Sequence, residues 1–402
     1  MFQYDVEWFV NDEGTQVRKL LLHLPEEVAI TDVKPECFNV YVERKNEQGE
    51  LIFAKEKFWD YEEKPARGYR RIIAAYPANE DWEPVQTGRY VVLELDMTDV
   101  QSKTIIGGIT SSYFVDCQYR VTQIAAIGEI SGMVFDERNQ ICCPQTKHWH
   151  HGTFNDKDMS LQYAYFNPRP MEGKRPVIIW LHGAGEGGMD PRLAYMGNKV
   201  VALSSKKIQK YFGGAWVLAP QSPTVWMDDG VEQLGRSGKS IYTSTLKALI
   251  DEFVAEHDVD TNRIYVGGCS NGGFMTLRLM IDYPGYFAAG YPMCEALYDN
   301  TISDEQIKTL AKSSIWFLHA MTDGLVPPME TSVPTYKRLM EAGAKHVHIT
   351  YIDDRPPFTM INHGCWVPGL NEQFNQDFDM QPVCVDGKPV TRFEWLAAMR
   401  RK

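Results

Sequence analysis

The chain has 402 residues, long enough that two domains are expected, and its 44% apolar and 23% charged residues suit a soluble protein with a sizeable core. Its 53 acidic residues outnumber the 41 basic ones by 12, and no Lys/Arg-rich run occurs. That balance argues against nucleic acid or an anionic membrane surface as a partner.

The first stretch, MFQYDVEWFVNDEG, places Asp5 and Glu7 where a secretion signal needs a basic and then an apolar segment. No window of 18 residues is uninterruptedly apolar, so no membrane span and a cytoplasmic location are expected. The eight cysteines are scattered through a chain large enough to do without staples, and are read as reduced thiols.

Residues 1–125 read as strands without helices. FNVYVER sets Phe38, Val40 and Val42 against Asn39, Tyr41 and Glu43; RYVVLELDM sets Val91, Leu93 and Leu95 against Tyr90, Val92 and Glu94. Alternation with a period of two marks half-buried strands. Several such strands separated by polar turns predict an all-β sandwich. Residues 126–159 are read as a connecting segment. Within them CCPQTKHWHH offers Cys142, Cys143, His148, His150 and His151 as zinc ligands, but the spacing fits no CxxC pattern and a surface loop is preferred.

From about residue 160 the pattern changes. PVIIWLHG, AWVLAP, RIYVGG, FAAGYPM, SIWFLHA and HVHITYI are short apolar runs suited to strands buried on both faces. Between several of them lie amphipathic stretches, such as the stripe Leu246, Leu249, Ile250, Phe253 and Val254. Strand and helix in alternation predict a mostly parallel sheet flanked by helices over residues 126–402.

The sequence VGGCSNGGFMT joins one such strand to a helix and contains Gly268-Cys269-Ser270-Asn271-Gly272, a G-x-S-x-G elbow. The flanking glycines admit a tight turn that lifts Ser270 above the sheet, beside a helix N-terminus where the Asn271 N–H can stabilise an oxyanion. The base is expected on a loop after the last strand. Of the downstream histidines, His319, His346 and His348 fall within strands, leaving His363 in INHGCW. For the acid, Asp323 follows a strand in TDGLVPP, with Asp353 and Asp354 as rivals. The order Ser270, Asp323, His363 is that of an α/β hydrolase. The second oxyanion donor is expected from WLHGAGEGG, at Ala184 or Gly183, while His182 and Glu186 are read as orienting that loop.

On these residues the chain resembles the prolyl-oligopeptidase-like esterases of the α/β-hydrolase superfamily, in particular the thermophilic carboxylesterases with an N-terminal immunoglobulin-like domain. The matching stretches are LHGAGEGG, VLAPQSP, DVDTNRIYVGGCSNGGFMT, YPGYFAAGYPMC, TDGLVP and HGCW. The resemblance implies an immunoglobulin-like β-sandwich followed by an α/β-hydrolase domain, and a serine carboxylesterase for short acyl, aryl or carbohydrate-linked esters. It places Ser270, Asp323 and His363 on the family's triad positions and Trp366 as an aromatic wall. Gln221 and Trp226 are implied as lining the pocket. The expected partner is a small-molecule ester, with no nucleic acid, membrane, metal or organic cofactor, and with homo-oligomerisation through the N-terminal domain. Gly187 departs from the arginine common in relatives. The alternatives are a prolyl-oligopeptidase-like peptidase and a non-catalytic binding protein on the same scaffold.

Overall fold

Alternating apolar residues fold the first part of the chain into strands, as the pattern requires. The computed structural model describes residues 2–54, 62–108, 110–156, 159–168, 173–352 and 362–401. By residue contacts the chain divides into two units, 1–108 with 112–147, and 109–111 with 148–402.

The first unit contains β1 (Phe2–Asn11), β2 (Gly14–Ala29), β3 (Phe38–Lys45), β4 (Arg67–Arg70), β5 (Ile72–Ala78), β6 (Thr87–Leu95), β7 (Ile105–Gly107), β8 (Ser112–Phe114), β9 (Asp116–Gln123) and β10 (Val134–Cys142). Eight of these pair in the order β4-β3-β9-β10-β1-β2-β6-β5, while β7 and β8 form a separate hairpin. In β3 the alternation holds: Phe38, Val40 and Val42 are buried. In β6 it does not, because Val92 is buried as well and packs with Leu21 and Ala78 in a small cluster on the opposite face.

The first unit reaches residue 147 rather than 125. The reason is β10, which pairs parallel with β1 and antiparallel with β9, satisfying its backbone groups in this sheet. Its sequence, VFDERNQIC, has too few buried positions to announce a strand. Of the expected connector, Trp149–Asp156 and Met159 lie in strands of the second unit.

That unit holds β11 (Trp149–Asp156), β12 (Met159–Phe166), β13 (Arg175–Leu181), β14 (Trp216–Gln221), β15 (Val259–Cys269), β16 (Ala289–Met293), β17 (Ile315–Ala320) and β18 (Val347–Ile352). They pair as β11-β12-β14-β13-β15-β16-β17-β18. The β11–β12 hairpin joins antiparallel to β14, and every pairing from β14 to β18 is parallel. The strand order reverses at β13, whose neighbours are β14 and β15. Ligands of open α/β sheets bind beyond the carboxyl ends of strands at such a switch point.

Helices α1 (Leu193–Met196), α2 (Lys206–Phe212), α3 (Thr243–Glu256), α4 (Asn271–Asp282), α5 (Asp304–Leu310), α6 (Ser332–Glu341), α7 (Trp366–Leu370) and α8 (Arg392–Ala398) complete the unit. In α3, Leu246, Leu249, Ile250 and Phe253 are buried, and Val254 packs against the same core from a half-buried position. Helix α4 is buried from Asn271 to Ile281. Among the described residues no helix is long and apolar enough to cross a membrane. All eight cysteines are free thiols.

Phe253 packs against the rings of Tyr165, Trp216 and His257. We expect Phe253→Ala to cost about 3–5 kcal/mol, the usual penalty for emptying a buried phenylalanine site, read as a lower urea midpoint.

Candidate active site

The elbow is built from glycines because nothing larger fits. A Cβ on Gly268 would lie 2.3 Å from the Leu181 carbonyl oxygen, and one on Gly272 only 1.9 Å from it. On the other side, a Cβ on Gly273 would stand 2.7 Å from Glu295 Cα. Between them Ser270 adopts φ 55° and ψ −116°, a conformation that non-glycine residues rarely hold. Its N–H donates to the Met293 carbonyl at 2.9 Å, tying the turn to the end of β16. Asn271 opens α4, so its backbone N–H lacks an intrahelical acceptor.

Asp323 follows β17 and is buried. Its Oδ1 accepts the N–H groups of Leu325 and Val326, each at 2.9 Å, and its Oδ2 accepts His363 Nδ1–H at 2.8 Å. A second histidine reaches the same oxygen: His319 Nε2 lies 3.3 Å from Oδ2 and 3.1 Å from the Val326 carbonyl. Both neighbours are acceptors, so Nε2 carries the proton and Nδ1 takes the Ser332 hydroxyl at 2.7 Å. Burial alone would raise the Asp323 carboxyl, but the hydrogen bonds from His319 and His363 hold it well below the usual carboxylate range. The strand position of His319 points only to a core or sheet-face residue, not to a partner of the acid. Its place four residues before Asp323, in HAMTD, was the available signal.

With Nδ1 engaged, His363 keeps Nε2 for a proton from a hydroxyl group. The edge of Trp366 stands against its ring, centroids 5.5 Å apart at 83°. Asp353 and Asp354 lie outside the described residues.

The loop after β13 carries the other expected donors. His182 Nδ1–H donates to the Gly183 carbonyl at 2.6 Å, and Ser222 N–H donates to His182 Nε2 at 3.1 Å. Burial pushes this imidazole down to about 4, so it is neutral and orients the loop. The Gly183 carbonyl also accepts the Glu186 backbone N–H at 3.3 Å, and the peptide it belongs to carries the Ala184 N–H that this loop offers. Two implied pocket residues do not line a pocket: Gln221 and Trp226 have no exposed surface. Gln221 instead donates to the Glu186 carbonyl at 2.8 Å, and the Trp226 N–H donates to Asn271 Oδ1 at 2.5 Å. Gly187 is explained by contact, since a Cβ there would stand 1.7 Å from the Thr224 carbonyl oxygen.

Among the described residues one group could gather ligand atoms around an ion, namely Cys294, Asp323 and His363, within 4.8 Å of one another. The Asp323–His363 hydrogen bond accounts for two of its three members. Cys142, Cys143, His148, His150 and His151 are not brought together. His150 and His151 lie in β11, and His151 Nε2 pairs instead with the Tyr195 hydroxyl at 3.1 Å.

Residues 8–136 match the family described as the esterase Ig-like N-terminal domain, and residues 168–356 match the phospholipase/carboxylesterase family. The fold is shared with a thermostable esterase of known crystal structure, at a TM-score of 0.79 and 24% identity over 99% of each chain. The chain is also similar to poly(3-hydroxyalkanoate) depolymerase C of Paucimonas lemoignei, 27% identical over 153 residues, 36% of this chain and 34% of that protein. Similarity to feruloyl esterase B of Thermothelomyces thermophilus is 25% over 144 residues, 34% of this chain and 45% of that one. The matches thus span less than half the length of either relative.

Two outcomes follow from the packing and charge of the site. Gly272→Ala should lower the melting temperature and abolish any Ser270-dependent activity, because the obstructing atom is backbone and cannot swing away. Glu295, whose Oε1 is buried with no partner among the described residues, has a carboxyl pushed by burial up to about 8 from an ordinary 4.5. The stability it confers is full below about pH 4.5 and lost as pH rises through about 8, so Glu295→Gln should flatten the urea midpoint across that range.

Proposed function

From a chain that carries an esterase Ig-like N-terminal domain followed by a phospholipase/carboxylesterase domain, we infer a serine carboxylesterase that hydrolyses short acyl or aryl esters through an acyl-enzyme. The observation that carries this reading is the 2.8 Å hydrogen bond between His363 and a buried, ionised Asp323, at the same end of the sheet as the elbow serine. An imidazole held in that tautomer is prepared to accept a proton on Nε2.

In the reaction, Ser270 Oγ attacks the ester carbonyl while its proton passes to His363 Nε2. The carbonyl oxygen becomes an oxyanion and takes hydrogen bonds from the N–H groups of Asn271 and Ala184. Asp323 stabilises the imidazolium without taking its proton. His363 then gives the proton to the departing alkoxide, the C–O bond breaks and the alcohol leaves. Water repeats the sequence: it loses a proton to His363, attacks the acyl carbon, and releases the acid as Ser270 recovers its hydrogen.

The flat edge of Trp366 beside His363 favours acyl or aryl groups that can lie against a ring. The names of the two relatives point the same way, one to feruloyl esters and the other to poly(3-hydroxyalkanoate).

Ser270→Ala should lower kcat on p-nitrophenyl butyrate and on methyl ferulate by on the order of 10⁴–10⁶, the loss seen when a triad acts as a unit. Asp323→Asn should cost about 10⁴ by leaving the imidazole in the wrong tautomer. Full turnover by the Ser270→Ala protein would remove the reading.

A further inference from the structure

We propose that Glu186 is a positioning residue that clamps the oxyanion loop to the aromatic wall of the base, through Asn198 and Trp366; this rests on the reading of the site given above. The clamp has two polar links and one ring contact. The Glu186 carboxyl accepts the Asn198 side-chain amide at 2.6 Å. Asn198 Oδ1 accepts the Trp366 indole N–H at 2.9 Å, and the indole edge meets His363. Both ends of the Asn198 amide are therefore used. Only one orientation serves them, with the NH₂ toward the carboxyl and the oxygen toward the indole.

The effect on the oxyanion donor follows from peptide geometry. The Gly183 carbonyl and the Ala184 N–H belong to one rigid trans peptide and point in opposite directions. Two donors hold that carbonyl: His182 Nδ1–H at 2.6 Å and the Glu186 backbone N–H at 3.3 Å. Pinning the oxygen aims the Ala184 N–H the other way. Glu186 thus acts twice, its backbone N–H on the Gly183–Ala184 peptide and its carboxyl on Asn198, while Gln221 holds its own carbonyl at 2.8 Å.

Room for the clamp is built into the chain. A Cβ on Gly197 would lie 2.9 Å from Glu186 Cγ, and one on Gly183 would lie 3.1 Å from Glu186 Oε2. Glu186 keeps some exposed surface as a residue, but its carboxyl is enclosed, and burial pushes it up to about 7. A carboxyl in such a place is costly unless it is hydrogen-bonded, and here the bond runs to Asn198 and through it to the aromatic wall of the base.

The test compares Glu186→Ala, Glu186→Gln, Trp366→Phe and the Glu186→Ala/Trp366→Phe pair with the wild type on p-nitrophenyl butyrate. Inhibition by a trifluoromethyl ketone, whose adduct carries the oxyanion, is measured alongside. Glu186→Ala should lower kcat by about 10²-fold with KM changed by less than about threefold, as for loss of an aligned oxyanion donor. The ketone inhibition constant should rise by the factor that kcat/KM falls. Glu186→Gln keeps a carbonyl oxygen that can accept the Asn198 NH₂, and should retain most of the activity lost in Glu186→Ala. The double variant should lose little more than the worse single one, because both break the same clamp. Unchanged kcat in Glu186→Ala would overturn the proposal, as would losses that leave ketone binding untouched or that simply multiply in the pair. Ser270→Ala separates this from the underlying reading: if it stays active, the esterase assignment fails whatever Glu186 does.

Discussion

The site depends on the absence of four side chains. Gly268 and Gly272 lie against the carbonyl of Leu181 at the end of β13, while Gly267 and Gly273 lie against the Tyr291 ring and the backbone of Glu295 beside β16. The elbow is therefore wedged between its two neighbouring strands at distances no Cβ tolerates. The backbone that presses on it, Leu181 and His182, leads directly into Gly183 and Ala184. Ser270 and the loop expected to cradle the oxyanion are thereby fixed to each other by van der Waals contact, and the strained serine backbone is held by packing that leaves it no alternative.

Around this wedge the protein distributes charge by environment rather than by residue type. Three buried or enclosed carboxyls lie close to it in the fold, and they differ. Asp323 receives four hydrogen bonds, from two backbone N–H groups and two imidazoles, and stays ionised. Glu295 receives only the Leu297 N–H among the described residues, and burial keeps it neutral near pH 7. Glu186 falls between them. Buried His182 is held neutral as well. Full negative charge is thus concentrated behind His363, where an imidazolium would form, and is kept away from the oxyanion loop.

Much of this was legible in the sequence, for reasons that can be named. The strands β13 to β18 are apolar runs long enough to be buried on both faces, and the elbow is a motif whose spacing reflects the contacts just described. The Asp323–His363 pairing came from asking which residues follow strands. What was missed concerns partners. Strands β10 and β11 are largely polar, and only pairing reveals them as strands. The resemblance implies Gln221 and Trp226 as pocket residues, yet both are wholly buried and position their neighbours. No pattern in HGAGE says that the glutamate carboxyl reaches Asn198 while its backbone N–H returns to the Gly183 carbonyl; that depends on the turn (Ala184–Glu186) and on what packs beside it.

The measurement that bears most directly on this account is the site of covalent capture. The protein would be treated with a fluorophosphonate, digested, and the adduct mapped by mass spectrometry, with Asp323→Asn run in parallel. The account predicts a single adduct on Ser270, formed far more slowly when Asp323 is replaced. An adduct elsewhere, or none at Ser270 in the folded wild type, would contradict it.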